Sequence, residues 1–261
     1  PPQADLRLTV DSQGTVCVQG TVQNGPIRLE DAALIVGANR YALGDLESGQ
    51  TVADVGDLAP TPLSTPSPGD RQEYRRHQFL QAVLPSDGLV LEPGAYLIGW
   101  GPETPFGVEL AGTSSRASET VLYIFDLPVA PLTEEAVSIP SSLIVRELEQ
   151  ARGHVDVVEN RIVISAGASS VFRFSVWPEA MVSSIGQLTL HVESIGYSPA
   201  IAMWDWRSQA WEPQDVGWGS HAIPQPDRYV HPSGIIRIRT TASQGEYVEL
   251  QRLAITIEGR R

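Results

Sequence analysis

The feature that most narrows the fold is a two-residue alternation of apolar and polar side chains, repeated in short runs along the chain. Phe172, Phe174 and Val176 alternate with Arg173 and Ser175, and Leu188, Leu190 and Val192 alternate with Thr189 and His191. Ile236 and Ile238 alternate with Arg237 and Arg239, and Ile162 and Ile164 repeat the pattern. Successive side chains of a β-strand point to opposite faces, so each run describes a strand with one face buried and one in water. Near the beginning, Leu6, Leu8 and Val10, then Val16, Val18, Gly20 and Val22, flank the turn Asp11-Ser12-Gln13-Gly14 and read as a hairpin. The 23 glycines and 20 prolines suit many short strands joined by tight turns. The expected class is all-β.

Some segments depart from simple alternation. Ala32 to Val36 is a short apolar run suited to a strand buried on both faces, and further strands are expected at Ala95–Trp100 and Thr120–Phe125. Pro60 to Pro68 carries four prolines and reads as an exposed loop. Asp70-Arg71-Gln72-Glu73 then has an N-cap followed three residues later by Glu, with Phe79, Leu80, Val83 and Leu84 on one apolar face, which predicts one short helix over 71–83. In the last strand the buried set changes phase: Val248 and Leu250 are even-numbered, Leu253, Ile255 and Ile257 odd. One extra residue near Gln251-Arg252 restores a common inward face, so a β-bulge is expected there.

At 261 residues the chain exceeds one compact sandwich. Pro128-Val129-Ala130-Pro131 and the Thr/Glu/Ser stretch to Ser142 read as a linker, dividing the chain into domains 1–127 and 143–261 joined by 128–142. Within the first, Gly44-Asp45-Leu46-Glu47-Ser48-Gly49 resembles the turn preceding a strand in many bacterial immunoglobulin-like domains. In the second, the order of elements, with a closing strand Tyr247 to Ile257 after an Arg-bearing strand, resembles the jelly-roll sandwiches of the galactose-binding-like and carbohydrate-binding-module group. These resemblances imply two consecutive antiparallel β-sandwiches, immunoglobulin-like then jelly-roll-like. The second resemblance also implies a non-catalytic binding or spacer module, sometimes carrying a structural calcium. No calcium-loop motif stands in the sequence, and no cofactor is expected.

Charge and cysteine content restrict the partners. Acidic residues number 31 against 18 basic ones, all of them Arg, for a formal charge of −13, so nucleic acid is not an expected partner. Cys17 is the only cysteine, which excludes an internal disulfide and any zinc or iron–sulfur site built from several cysteines. It reads as a half-buried thiol. No run of about 18 apolar residues predicts a membrane-spanning helix. The chain is read as extracellular or cell-surface material, an ectodomain of a membrane-anchored bacterial protein.

The richest local feature is Ile201-Ala202-Met203-Trp204-Asp205-Trp206-Arg207-Ser208-Gln209-Ala210-Trp211. If Ile201 and Met203 face the core, Trp204 and Trp206 face outward, with Trp211 reaching them from the return strand. Indole faces stack on the C–H faces of a sugar while Asp205, Arg207 and Gln209 hydrogen-bond its hydroxyls, which makes a candidate carbohydrate site of Trp204, Asp205, Trp206, Arg207, Trp211 and Trp218. The alternative is that the indoles pack on one another, on Trp218 and on the Pro224-to-Pro226 loop as a satellite core.

The five histidines, at 77, 154, 191, 221 and 231, show no metal-ligand spacing; His221 and His231 flank Asp227 and could meet in space. Asp205 and Glu212 straddle the hairpin, but a glycosidase needs two carboxylates facing each other across a cleft. No nucleophile elbow, Walker loop or dinucleotide fingerprint is present, and no catalytic or metal residue is assigned. The reading is a non-catalytic extracellular module that binds carbohydrate or another surface protein. A structural stalk or assembly subunit is the alternative, and a glycosidase or esterase the third reading.

Overall fold

The structure is a computed structural model that describes residues 1–52, 54–61, 71–83, 94–101, 121–133, 135–158 and 161–261. It is all-β, with four sheets in two halves and one short helix. In the first half, β1 (Gln3–Val10) and β2 (Val16–Gln23) form the expected hairpin, with Leu8 opposite Val18. Asp11 closes its turn by accepting the backbone N–H groups of Gln13 and Thr15. A Cβ on Gly20 would fall 1.9 Å from the carbonyl oxygen of Asp5, and φ there is +126°, so the close approach of β1 and β2 requires glycine.

Next come β3 (Leu29–Val36), β4 (Asn39–Leu46), β5 (Thr51–Val52), α1 (Arg71–Val83), β6 (Ala95–Gly101), β7 (Val121–Leu127) and β8 (Val129–Ala130). They complete two four-stranded sheets, ordered β5-β2-β1-β8 and β4-β3-β6-β7. Gly44-Asp45-Leu46 ends β4, and the turn follows at Glu47–Gln50, closed by the Gln50 N–H on the Glu47 carbonyl.

The helix explains why β3 is apolar on both faces. Ala32, Leu34 and Val36 enter the main core, whereas Ala33 and Ile35 join Ile98, Trp100 and Leu80 of α1 in a second cluster. Leu80 is buried as expected. Phe79 is not: it stays 63% exposed and meets Trp100 in a perpendicular ring contact at 6.4 Å between ring centres. Adjacent helical positions are about 100° apart, so Leu80 and Phe79 cannot both point into the same narrow groove. Arg76 takes the space beside Leu80, 5.3 Å over the Trp100 ring and ion-paired to Glu30 and Asp31. Asp70, Leu84 and most of the Pro60–Pro68 loop lie outside the described residues, as does the side chain of Val83.

The second half contains β9 (Ala136–Ile139), β10 (Ile144–Arg152), β11 (Val155–Val158), β12 (Arg161–Ile164), β13 (Ser169–Val176), β14 (Ser184–Gly196), β15 (Ala200–Asp205), β16 (Ala210–Gln214), β17 (Gly219–Ile223), β18 (Ile235–Thr241) and β19 (Val248–Arg260). One sheet runs β10-β13-β18-β15-β16, the other β11-β12-β19-β14-β17, with β9 pairing β19. The alternation read from the sequence is realised: Phe172, Phe174, Leu188, Leu190, Ile236 and Ile238 are all buried. The bulge is also where the phase break placed it. Glu193 faces Arg252 and Ser194 faces Leu250, which leaves Gln251 unpaired and keeps Leu250 and Leu253 both inward.

The stretch 128–142, expected as a linker, is hydrogen-bonded to both halves. β8 pairs in parallel with β1, β9 pairs with β19, and the Ser138 N–H donates to the Gly14 carbonyl. Its prolines mark the gaps between these short strands because they lack an N–H to offer a ladder. The main buried cluster accordingly runs through both halves, from Leu8 and Val16 through Val137 and Leu143 to Phe174.

Candidate functional site

The β15–β16 hairpin turns as its alternation requires. Ile201 and Met203 are buried, while Trp204, Trp206 and Trp211 stand half-buried on the other face. Trp204 lies directly opposite Trp211 across the ladder, their ring centres 5.3 Å apart in an edge-to-face arrangement, and Trp206 meets Trp204 edge-on at 6.4 Å. Edge-to-face packing matches the positive rim of one indole to the negative face of the next.

The neighbouring strand supplies what covers them. On β18, Arg237 lies 5.4 Å over the Trp206 ring and Arg239 lies 4.9 Å over Trp211. His231 also packs against Trp206, with ring centres 4.6 Å apart. Beyond β18, Arg237 forms an ion pair with Glu149, and Arg173 one with Glu147. Trp204, Trp211, Arg237, Arg239, Glu149 and Arg152 line a cavity of about 320 Å³ on the outside of this sheet.

Three of the residues singled out by sequence do other work. Asp205 is fully buried and accepts hydrogen bonds from the backbone of Arg207, from Ser208 Oγ and from Arg228 Nε. As the last residue of β15 it points inward, opposite to the indoles, and has no surface to offer a sugar. Burial opposes its ionisation, but the bonds from Ser208, Arg228 and the local backbone outweigh that and hold its carboxyl well below the usual carboxylate range. Arg207 is exposed but ion-paired to Asp227. Trp218 is 60% exposed in the connection between β16 and β17 and makes no ring contact with the hairpin indoles among the described residues, so the arginines and His231 flank them instead and leave them half-exposed.

Asp205 and Glu212 do not face each other across a cleft. Both hold Arg228, and Glu212 also accepts the Tyr229 hydroxyl at 3.0 Å. Hydrogen bonding to Asp205 raises the Arg228 guanidinium further above its ordinary value, and burial pushes the Tyr229 phenol up. The Trp206 indole N–H donates to the Tyr229 carbonyl at 3.1 Å. Together these contacts clamp the hairpin turn onto the 3-10 turn at Pro226–Arg228. His221 bonds the carbonyls of Gly217 and Trp218, apart from His231, which bonds Ser233. Among the described residues, no group of three or more His, Cys, Asp or Glu side chains converges to hold a metal.

Sequence reasoning missed Arg237, Arg239, Glu149 and Arg152. The alternation of β18 already placed both of its arginines outward; what it lacked was the identity of the strand beside them.

Fold and face together define a β-rich protein of two domains. Residues 3–130 match the family model described as "Domain of unknown function (DUF8725)", and residues 138–259 match "Domain of unknown function (DUF8815)". No curated protein matches the chain. Among solved structures it is similar to the secreted serine protease VesC from Vibrio cholerae, at 12% identity and a TM-score of 0.22. That match covers 98% of this chain, which spans 50% of the length of the other. Similarity at this level defines neither fold nor activity. Among the described residues no helix is long and apolar enough to cross a membrane.

Proposed function

We propose that the chain is a non-catalytic extracellular module of a bacterial surface protein, whose second half binds carbohydrate on its aromatic face and whose first half positions it. The observation that carries this reading is the cavity in which Trp204 and Trp211 stand beside Arg237 and Arg239. Half-exposed indoles give apolar contact to sugar C–H groups, and guanidinium N–H groups donate to its oxygens. The sheet orders β4-β3-β6-β7 and β10-β13-β18-β15-β16 support an immunoglobulin-like sandwich followed by a jelly roll. The test is calorimetric titration of the whole chain and its Trp204→Ala and Trp211→Ala variants against a polysaccharide panel. Binding by the parent and its loss in folded variants is expected; variants that bind as the parent does would remove the aromatic face from the reading.

A second reading, assembly through protein contacts, is favoured by Ile195, Tyr197 and Tyr247. These three are about half exposed, at 49%, 52% and 56%, and lie near the same end of the β14–β19 ladder. Analytical ultracentrifugation of Tyr197→Ser and Tyr247→Ser variants tests it, with dissociation of a parent oligomer as the expected outcome.

A further inference from the structure

Charge is distributed unevenly between this chain and its cavity. The whole sequence carries −13, yet the cavity beside the indoles is lined by three arginines and a single glutamate. That glutamate, Glu149, is engaged by Arg237, and the nearby Arg173 is engaged by Glu147. Arg239 and Arg152 are left: among the described residues neither has an ion pair, although the protein has an excess of carboxylates to offer. Cations gathered on one face of a sheet repel one another unless something neutralises them.

The geometry makes Arg239 a prepared donor. Its guanidinium lies 4.9 Å over the Trp211 ring, and among the described residues no ion pair or side-chain hydrogen bond uses its N–H groups. A half-buried guanidinium held against an indole loses less freedom on binding than an extended surface side chain, and its fork matches the two oxygens of a carboxylate. β13 lies between the two cations, with its Val171 paired to Arg239 of β18 and its Ser169 paired to Arg152 of β10, so they border one strip of sheet with a hydroxyl beside them. Trp204 and Trp211 close the other side.

We infer that the ligand of this face is an acidic polysaccharide whose uronic-acid carboxylate is held by Arg239 and Arg152 while its ring rests against the parts of Trp204 and Trp211 that the arginines leave exposed. The inference rests on the binding reading above and adds the chemical class of the sugar. A purely acidic peptide such as poly-glutamate could satisfy the charges, but its side chains offer the two indoles no ring face to rest on.

The test uses the full chain with polygalacturonate, alginate and hyaluronate, the carboxyl-reduced form of each, and poly-glutamate. Binding to at least one uronate polymer is expected, weakened about tenfold or more by carboxyl reduction and by Arg239→Gln, and falling with added salt. Arg239→Lys, which keeps the charge and loses the fork, is expected to retain an intermediate affinity. Melting temperature shows that each variant is folded; should Arg239→Gln unfold, Arg152→Gln on the cavity margin replaces it, with the same expected loss. Equal binding of the native and carboxyl-reduced polymers would overturn the acidic assignment while keeping the aromatic site. Poly-glutamate binding as tight as any uronate would overturn the assignment to a sugar. No binding to any polymer, acidic or neutral, would overturn the binding reading itself.

Discussion

A Cβ built on Gly37 would lie 2.3 Å from the carbonyl oxygen of Ser142, so the turn between β3 and β4 touches the backbone at the opening of the second half. The adjacent Ala38 N–H donates to that same oxygen at 2.7 Å. Gly37 also has φ +57°, in the left-handed region. Gly37→Ala is therefore expected to cost about 2 kcal/mol or more, through steric overlap as well as backbone strain. Chemical denaturation measures the loss, and a shift confined to one half, read by separate probes, would show that the contact does not couple them.

Asp205 fastens the hairpin. Its carboxyl titrates lower in the folded chain than the unfolded value of 3.8, so its stabilisation is fully present above that value and is lost as pH falls below it through the lower folded value. Asp205→Asn is expected to lower the melting temperature at neutral pH and to flatten the acid side of the stability profile below about pH 4. An unchanged acid limb would show that the clamp is not coupled to folding.

Trp206 and Trp204 are expected to differ in their structural weight. Trp206 donates its indole N–H to Tyr229 and is flanked by His231 and Arg237, whereas Trp204 relies on ring contacts. Both are half-buried, so their Ala variants should fall short of the cost of a fully buried aromatic. Losses of about 1–3 kcal/mol are expected, larger at Trp206 because the Tyr229 carbonyl loses its donor. Equal losses would count against the importance of that hydrogen bond.

His191 gives the second half a separate pH response. Burial lowers its pKa from 6.5, Arg252 lowers it further, and Glu193 opposes them. A histidine with a depressed folded pKa stabilises the fold above the unfolded value and loses that contribution as pH falls through the folded one. Stability should decline from about pH 6.5 downward, and His191→Gln should remove that part of the decline. Thermal melts between pH 7.5 and 5 check this, and a decline of the same size in the variant would assign it elsewhere.

The helix offers a paired comparison of neighbours. Leu80→Asp places a charge in the cluster with Ile35 and Trp100 and is expected to destabilise by about 2–4 kcal/mol. Phe79→Asp, at the exposed neighbouring position, should cost well under half of that. Comparable costs would mean that Phe79 is covered in solution.

What could be read from the sequence was local. The strand periods, the helix and the bulge at Gln251 each follow from the order of residues within one segment, because burial on one face imposes a phase that a short run reveals. The outward turn of Trp204 and Trp206 followed in the same way. What could not be read depended on strand order. Arg239 serves Trp211 because β18 lies beside β15, and β9 joins β19 across more than a hundred residues. Packing of the whole sheet decides such neighbours. Asp205 was misplaced for a related reason: grouped with the outward indoles as a sugar contact, it has the parity of Ile201 and Met203 and turns inward, where its burial is tolerable only because Arg228, distant in sequence, arrives to meet it.

The pairing of β9 with β19 has a mechanical consequence. Ala136 stands opposite Arg260, Ile139 stands opposite Ile257, and the Arg261 N–H reaches the Glu135 carbonyl at 2.9 Å. A pull between residues 135 and 261 acts on both strands at the same end of this ladder. Its hydrogen bonds are then loaded one after another, as in a zipper, rather than sharing the force in shear. Under tension the second half would thus begin to yield by releasing β9, exposing the inner edge of β19 before the aromatic face is disturbed.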